Sequence, residues 1–203
     1  MIVWINGAFG AGKTQTAYEL GHRLESARVV DPELLGLALH KMLPPGCRGD
    51  FQDLPQWRAG TIATLRQIDA AVDGAVIVPM TLVRDEYFDE IIGGLRSDGA
   101  QVCHFSLIAS PATLRRRLRL RSGYGLARLT GRDESWAIRQ IDRCVAALES
   151  NRYATHIDTN DQVIDDVVER LAHDCHLELV RPRDSRTAQH IRRLTTGLRH
   201  VRL

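Results

Sequence analysis

Short apolar runs rich in β-branched residues alternate with segments of helical periodicity along the chain. The strands predicted from these runs are Ile2–Ile5, Arg28–Val30, Ala75–Val78, Val102–Ile108 and Thr155–Ile157. The helices predicted after them are Thr14–Leu24, Pro32–Met42, Gln56–Val72, Glu86–Arg96, Ala112–Arg121, Ser135–Leu148 and Val163–His173. Such alternation predicts a parallel sheet covered by helices on both faces, because parallel neighbours need long crossover connections.

A phosphate-binding loop is encoded where the first strand turns into the first helix. The pattern GxxxxGK[ST] is matched in full by Gly7, Ala8, Phe9, Gly10, Ala11, Gly12, Lys13 and Thr14. The glycines let successive backbone N–H groups converge on phosphate, and the helix N-terminus adds a positive dipole end. Lys13 is predicted to bridge the β- and γ-phosphates and Thr14 to ligate Mg²⁺. The sequence therefore predicts binding of a nucleoside triphosphate with Mg²⁺.

Asp31 is a candidate catalytic carboxylate at the end of the second strand. The third strand offers only the hydroxyl of Thr81, whereas motor and switch NTPases usually carry an acid there. Asp31 is predicted to face the γ-phosphate, where it would accept a proton from an attacking hydroxyl or hold a magnesium-bound water. The alternative is that Asp31 only caps the helix beginning at Pro32, and the two roles can coexist.

An arginine-rich stretch over about residues 115–134 is predicted to form a lid. Arg117 and Arg121 lie four residues apart on one helix face that leads into a glycine- and arginine-rich loop, so both are predicted to contact phosphates during transfer. A solvated face explains most of the other arginines in this stretch.

Contacts with the adenine base and with an acceptor are also predicted. Asp158 and Thr159 end the fifth strand and are expected near the adenine. The predicted acceptor contacts are Phe51, Trp57, Arg58 and Thr81. An aromatic surface beside a guanidinium would suit a uracil and sugar headgroup, and core packing of Trp57 is the alternative.

Composition excludes several classes of protein. The sequence is 44% hydrophobic and 26% charged, which is typical of a globular domain and not of a disordered chain. Residues 99–114, the longest stretch without Asp, Glu, Lys or Arg, are too few and too polar to span a bilayer. We expect a cytoplasmic protein, since the first residues lack the pattern of a secretory signal. The four cysteines form no CxxC pair, so a zinc ribbon or disulfide framework is not expected.

The net charge of +2 is unevenly distributed. Residues 181–203 contain seven arginines against Asp184, a charge of +6, which leaves −4 for residues 1–180. No nucleic-acid-binding pattern is present in the body, so no specific nucleic-acid partner is expected. The tail carries apolar residues at helical spacing, namely Ile191, Leu194, Leu198 and Val201. It is predicted to be a basic amphipathic helix that either lies on an anionic membrane or packs on the body.

Several clusters beyond the phosphate-binding loop carry a family resemblance over about residues 1–180. They are MIVWINGAFGAGKTQTAYEL, Val30-Asp31-Pro32-Glu33, Asp50-Phe51-Gln52, Trp57-Arg58, Ile77-Val78-Pro79-Met80-Thr81, Tyr87-Phe88 and Gln140-Ile141-Asp142-Arg143-Cys144. The chain closely resembles the bacterial tunicamycin-resistance P-loop proteins, and more distantly chloramphenicol phosphotransferase, gluconate kinase and zeta-type toxins. The resemblance implies ATP binding and resistance to the nucleoside antibiotic tunicamycin. In the distant relatives the acid after strand two is the base, which supports Asp31.

These observations predict an α/β P-loop NTPase fold over residues 1–180, followed by the tail. The expected architecture is a nucleoside-kinase-like three-layer sandwich with a five-stranded parallel sheet of order 2-3-1-4-5 and an arginine-rich lid. The predicted function is ATP- and Mg²⁺-dependent phosphoryl transfer to a hydroxyl of a small molecule, with a tunicamycin-like nucleoside antibiotic as the leading substrate. Two alternatives stay open: a non-catalytic protein that sequesters the drug when ATP is bound, and a kinase of a cellular nucleotide sugar.

Overall fold

A computed structural model describes residues 1–120, 134–150 and 155–183 and contains one parallel sheet. Its strands are β1 (Ile2–Gly7), β2 (Ala27–Val29), β3 (Ala75–Pro79), β4 (Val102–Ile108) and β5 (His156–Asp158). Their order across the sheet is β2-β3-β1-β4-β5, and all four neighbouring pairs are parallel. The predicted fold class and strand order are therefore confirmed. The central strand β1 ends at Gly7, the first glycine of the phosphate-binding loop, two residues later than predicted.

Helices cover both faces of this sheet, and each of the seven predicted helices is present within two residues of its predicted bounds. They are α1 (Lys13–Arg23), α2 (Glu33–Met42), α3 (Pro55–Ala71), α4 (Asp85–Phe88, the π-helical turn Asp89–Gly93 and Gly94–Ser97), α5 (Pro111–Arg119), α6 (Glu134–Leu148) and α7 (Ile164–Asp174). Short 3₁₀ turns at Pro45–Cys47 and Phe51–Asp53 lie between α2 and α3. The Ser110 hydroxyl accepts a hydrogen bond from the Thr113 N–H at 3.2 Å and so caps the start of α5.

The alternating side chains of β1 enter two hydrophobic cores, one on each face of the sheet. Val3 and Ile5 belong to the core that includes residues of α1 and α7. Ile2 and Trp4 belong to the opposite core, with residues of α3 and α4. A strand buried on both faces reads as a continuous apolar run, as β1 does in the sequence. This packing fixes the carboxyl end of β1, where the phosphate-binding loop begins.

The start of the predicted tail packs against α1 and α7. The Arg181 N–H donates to the Arg23 carbonyl at 3.2 Å, and the Arg183 guanidinium pairs with Glu169 at 2.6 Å. Hydrogen bonding from Arg183 lowers the pKa of Glu169 to about 2. Residues 184–203 lie outside the described part of the chain, so the amphipathic helix and the domain boundary at residue 180 stay predictions. Over the described ranges, no helix combines the length and apolarity that crossing a membrane requires.

Candidate nucleotide and acceptor site

The phosphate-binding loop has the backbone geometry of an anion cradle. Gly10 and Gly12 have φ values of 86° and 101°, in a region that glycine adopts without steric penalty. Gly12 is the N-cap of α1, and as a glycine it has no side chain to cap this end of the helix. The first N–H groups of α1 therefore lack an intrahelical partner, and a phosphate would satisfy them.

Lys13 folds back over this loop. Its ammonium Nζ donates to the carbonyls of Gly7 at 2.9 Å and Ala8 at 3.2 Å. The side chain is largely buried, and Nζ lies 5.5 Å from the centroid of the Phe9 ring. Both carbonyls are neutral acceptors, so an anionic phosphate oxygen would compete favourably for the ammonium group. The structure thus places the positive charge at the phosphate-binding loop, and the contact of Lys13 with the β- and γ-phosphates stays a prediction.

Asp31 follows β2 closely and caps the start of α2. Its Oδ1 accepts a hydrogen bond from the Glu33 N–H at 2.9 Å, and the residue is half-buried. A carboxylate has about four acceptor positions on its two oxygens, so the cap does not by itself exclude a second role. In the sheet, β3 lies between β2 and β1. Asp31 is therefore at the same edge of the sheet as the phosphate-binding loop, one strand removed from it.

The end of β3 is tied to the phosphate-binding loop by two polar side chains. The Thr81 hydroxyl donates to the Gly7 carbonyl at 2.8 Å. Asn6 is completely buried, and its Oδ1 accepts from the N–H groups of Gly7 at 2.8 Å and Leu82 at 2.9 Å. Its Nδ2 donates to the Leu82 carbonyl at 2.7 Å. Thr81 and Asn6 thus position the loop, and the predicted contact of Thr81 with an acceptor stays a prediction.

His104 supports this arrangement from β4. Its Nε2 lies 3.3 Å from Asn6 Nδ2, and its ring meets Phe88 edge-on at 5.0 Å. Because the amide nitrogen is a donor, this hydrogen bond requires an unprotonated Nε2. Burial lowers the pKa of His104 from 6.5 to about 4, and the charges of Arg96 and His156 act in the same direction. His104 is therefore neutral at pH 7.

The stability of the protein is expected to depend on the charge of His104. Because folding lowers its pKa, the unfolded chain binds the proton more tightly, and stability is lost as the pH falls from 6.5 towards 4. Between pH 7.5 and pH 4.5 the His104 contribution to this loss is about 2–3 kcal/mol. Urea denaturation of the wild type and of His104→Gln should show a shallower pH dependence in the variant. Equal slopes in the two proteins would contradict this assignment.

Arg117 connects the first helix of the predicted lid to the loop after β5. Its guanidinium donates to the Thr159 carbonyl, to the Thr159 hydroxyl at 3.3 Å and to the Asn160 carbonyl at 3.2 Å. Asp158 Oδ1 accepts from the backbone N–H of Asn160 at 2.7 Å. The structure thus brings Arg117 together with Thr159, one of the two residues predicted near adenine, and with Asn160, whose N–H contacts the other, Asp158. Contact of Arg117 with phosphate stays a prediction, and Arg121 lies outside the described residues.

Trp57 is a core residue, which corrects its interpretation as an aromatic surface for the acceptor. The side chain has no exposed area, and the indole Nε1 donates to the Pro32 carbonyl at 2.9 Å. A buried indole N–H needs such an acceptor, and the turn before α2 supplies it. Trp57 therefore fixes the segment that carries Asp31.

Phe51 packs between α2 and α3, where Gly36 allows its close approach. A Cβ built on Gly36 would lie 2.5 Å from the Phe51 ring. The ring also lies 5.3 Å from Trp57 and 5.7 Å from His40, measured between centroids. Phe51 is half-buried, so its predicted acceptor contact stays open to test.

Replacing Gly36 by alanine should displace Phe51 and lower the free energy of unfolding by about 1–3 kcal/mol, as overpacking typically does. The matched control is Gly93→Ala, because a Cβ there meets nothing within 4 Å and its backbone is helical. We expect the control to be neutral or stabilised by up to about 1 kcal/mol. Urea denaturation of both variants measures the difference, and equal stabilities would refute the packing argument.

Arg58 belongs to a polar cluster that sequence reasoning did not find. Its guanidinium donates to Glu90 at 2.5 Å and lies 4.4 Å from the centroid of the Tyr87 ring. The guanidinium of Arg84 lies 4.6 Å from the same centroid, and Asp53 accepts from both Arg84 and Tyr87, at 2.7 and 2.5 Å. The cluster joins the second 3₁₀ turn to α3 and α4. Because Arg58 already has these partners, its predicted contact with an acceptor stays a prediction.

Comparison with known proteins gives a family and several similar structures. Residues 2–149 match the family described as AAA domain. The Deinococcus radiodurans tunicamycin resistance protein is similar at 31% identity and a TM-score of 0.72, over 89% of this chain and 99% of that one. No curated protein matched.

Two kinase structures share the fold at lower identity. One is a gluconokinase from Sinorhizobium meliloti, with 16% identity and a TM-score of 0.57 over 86% of this chain and 94% of that one. The other is the Mycobacterium tuberculosis APS kinase in complex with AMPPNP and APS, with 18% identity and a TM-score of 0.59 over 86% and 96% of the two chains.

Proposed function

Because the chain belongs to the AAA-domain family and to the family of the Deinococcus radiodurans tunicamycin resistance protein, we propose that it is an ATP-dependent phosphotransferase. It acts on a hydroxyl of a small molecule, and a tunicamycin-like nucleoside antibiotic is the proposed acceptor. One observation carries the proposal. The phosphate-binding loop with Lys13 and the carboxylate of Asp31 lie at the same edge of one parallel sheet.

ATP is proposed to bind with its phosphates on the loop and its base near Thr159. Mg²⁺ would be held by the Thr14 hydroxyl, a hard oxygen donor of the kind it prefers, and by Asp31 through a bound water, which leaves the carboxylate able to accept a proton. No group of three or more His, Cys, Asp or Glu that could hold a metal was found among the described residues. That finding fits an ion bound mainly through phosphate oxygens and water. The ion would neutralise charge on the phosphates.

Asp31 is proposed to act as the general base. As the acceptor hydroxyl oxygen bonds to the γ-phosphorus, its proton passes to the Asp31 carboxylate. The bond between the γ-phosphorus and the β–γ bridging oxygen breaks, and ADP leaves. Lys13 stabilises the charge on the transferring group, which is the main catalytic contribution in phosphoryl transfer.

The hydrogen bond by which Asp31 caps α2 supports a second candidate function, which is drug binding without catalysis. If the hydrogen bond to the Glu33 N–H is the whole role of this carboxylate, the protein would bind ATP and the drug without transfer. Such a protein would give resistance by sequestration alone.

An assay of ADP production tests the proposal. The full chain with ATP and Mg²⁺ is supplied with tunicamycin, with a uridine-diphosphate sugar, or with no acceptor. We expect ADP production to depend on tunicamycin. Saturable ATP-dependent binding of tunicamycin without ADP would support sequestration, and ADP production that depends on the nucleotide sugar would identify a cellular substrate instead.

A further inference from the structure

Trp136 presents an exposed indole beside the phosphate-binding loop. The chain has three tryptophans; Trp4 and Trp57 have no exposed area, whereas Trp136 is 42% exposed. Trp136 lies in the first turn of α6, and its ring centroid is 5.2 Å from that of Phe9, with the planes at 74°. Phe9 is itself a residue of the loop. An aromatic pair, Phe9 and Trp136, therefore borders the cradle.

The proposed position of ATP puts this aromatic pair at the γ-phosphate end of the cradle. The ammonium Nζ of Lys13, which is proposed to bridge the β- and γ-phosphates, lies 5.5 Å from the Phe9 centroid. The adenine end is assigned to the loop after β5, where Arg117 contacts Thr159. A planar group covering the pair would therefore belong to the acceptor and not to ATP.

We infer that the exposed indole of Trp136, held in a T-shaped contact with Phe9, forms a stacking platform for a planar ring of the acceptor. The inference rests on the proposed function and narrows its substrate class to acceptors that carry a nucleobase or a similar heterocycle. Aromatic side chains bind such rings through their faces and largely independently of ring identity. The neighbouring Lys13 ammonium disfavours a cationic ring, so the fitting ligands are neutral or anionic.

Because Trp136 is exposed and the other two tryptophans are buried, tryptophan fluorescence can report ligand binding at the platform. The full chain, loaded with a non-hydrolysable ATP analogue and Mg²⁺, is titrated with tunicamycin, with uridine, and with glucose as a control that lacks a planar ring. Tunicamycin and uridine should change the tryptophan emission saturably and protect it from acrylamide quenching, and glucose should not. Because Trp4 and Trp57 are buried, protection reports on Trp136.

Two variants separate stacking from packing. In Trp136→Leu the Kd for uridine, measured by equilibrium dialysis, should rise at least about tenfold, the size expected for loss of one base–aromatic stack. Trp136→Phe should stay within about threefold of the wild type, since a ring is kept. Both variants should bind the ATP analogue as the wild type does.

Three results would each overturn the platform. They are uridine binding that is unchanged in Trp136→Leu, tryptophan emission that does not respond at saturation, and no binding of either tunicamycin or uridine. Its failure is distinguishable from failure of the proposed function. Binding that depends on Trp136 without phosphoryl transfer sustains the platform and refutes the phosphotransferase. Transfer to tunicamycin that is equally efficient in Trp136→Leu refutes the platform alone.

Discussion

Replacing Lys13 by alanine should raise the Kd for ATP at least about tenfold, which is a loss of about 1.4 kcal/mol or more of binding free energy. The substitution removes the ammonium group that Gly7 and Ala8 hold over the phosphate-binding loop. Charge-assisted hydrogen bonds to phosphate are the strongest polar contacts that such a site can make. The melting temperature without ligand should stay close to that of the wild type, because the loop backbone and the core beneath it are unchanged.

Calorimetric titration with ATP and Mg²⁺ measures this effect. The chain offers a matched control in Lys41, its only other lysine, which is exposed on α2. Lys41→Ala removes the same charge from the protein and should leave ATP affinity unchanged. If the two variants bound ATP equally well, the assignment of Lys13 to the phosphates would be wrong.

Replacing Asp31 by asparagine should lower turnover by about two orders of magnitude or more, the range expected for a lost general base. The amide oxygen can still accept the hydrogen bond from the Glu33 N–H, so the cap on α2 is kept. ATP affinity should change little. Steady-state rates with saturating ATP, together with urea denaturation, measure both effects.

Asp50 provides a control for the capping role. Its Oδ1 accepts from the Gln52 N–H at 3.0 Å, two residues further along the chain, as Asp31 does from Glu33. Asp50→Asn should therefore change the free energy of unfolding about as much as Asp31→Asn does, without the loss of turnover. Normal turnover in Asp31→Asn would favour the purely structural role.

Sequence patterns predicted the fold and the phosphate-binding loop because both are encoded locally. Helical periodicity and short β-branched runs placed every described helix and strand within two residues. The glycines that turn the loop lie within eight consecutive residues, so the spacing alone identifies the cradle. The family resemblance from the sequence is confirmed by the 31% identical tunicamycin resistance protein.

The parts of the site that sequence reasoning missed depend on partners far apart in the chain. Asn6 and His104 are 98 residues apart, and only the β1–β4 pairing brings them together. The sequence could not decide whether Trp57 contacts the acceptor or packs in the core, because the carbonyl that its indole N–H needs, that of Pro32, is 25 residues away. One usable signal was present: Asn6 is a polar residue in an otherwise apolar central strand, and such a residue needs buried partners.

We propose that this chain transfers a phosphoryl group from ATP to a small-molecule hydroxyl. Mass spectrometry of tunicamycin after incubation with the full chain, ATP and Mg²⁺ tests this proposal. We expect a drug species heavier by one phosphoryl group, with ADP formed in equal amount, and we expect Asp31→Asn to form neither product at a comparable rate. Unmodified tunicamycin after many equivalents of ATP, together with saturable binding of the drug, would contradict phosphoryl transfer to this acceptor.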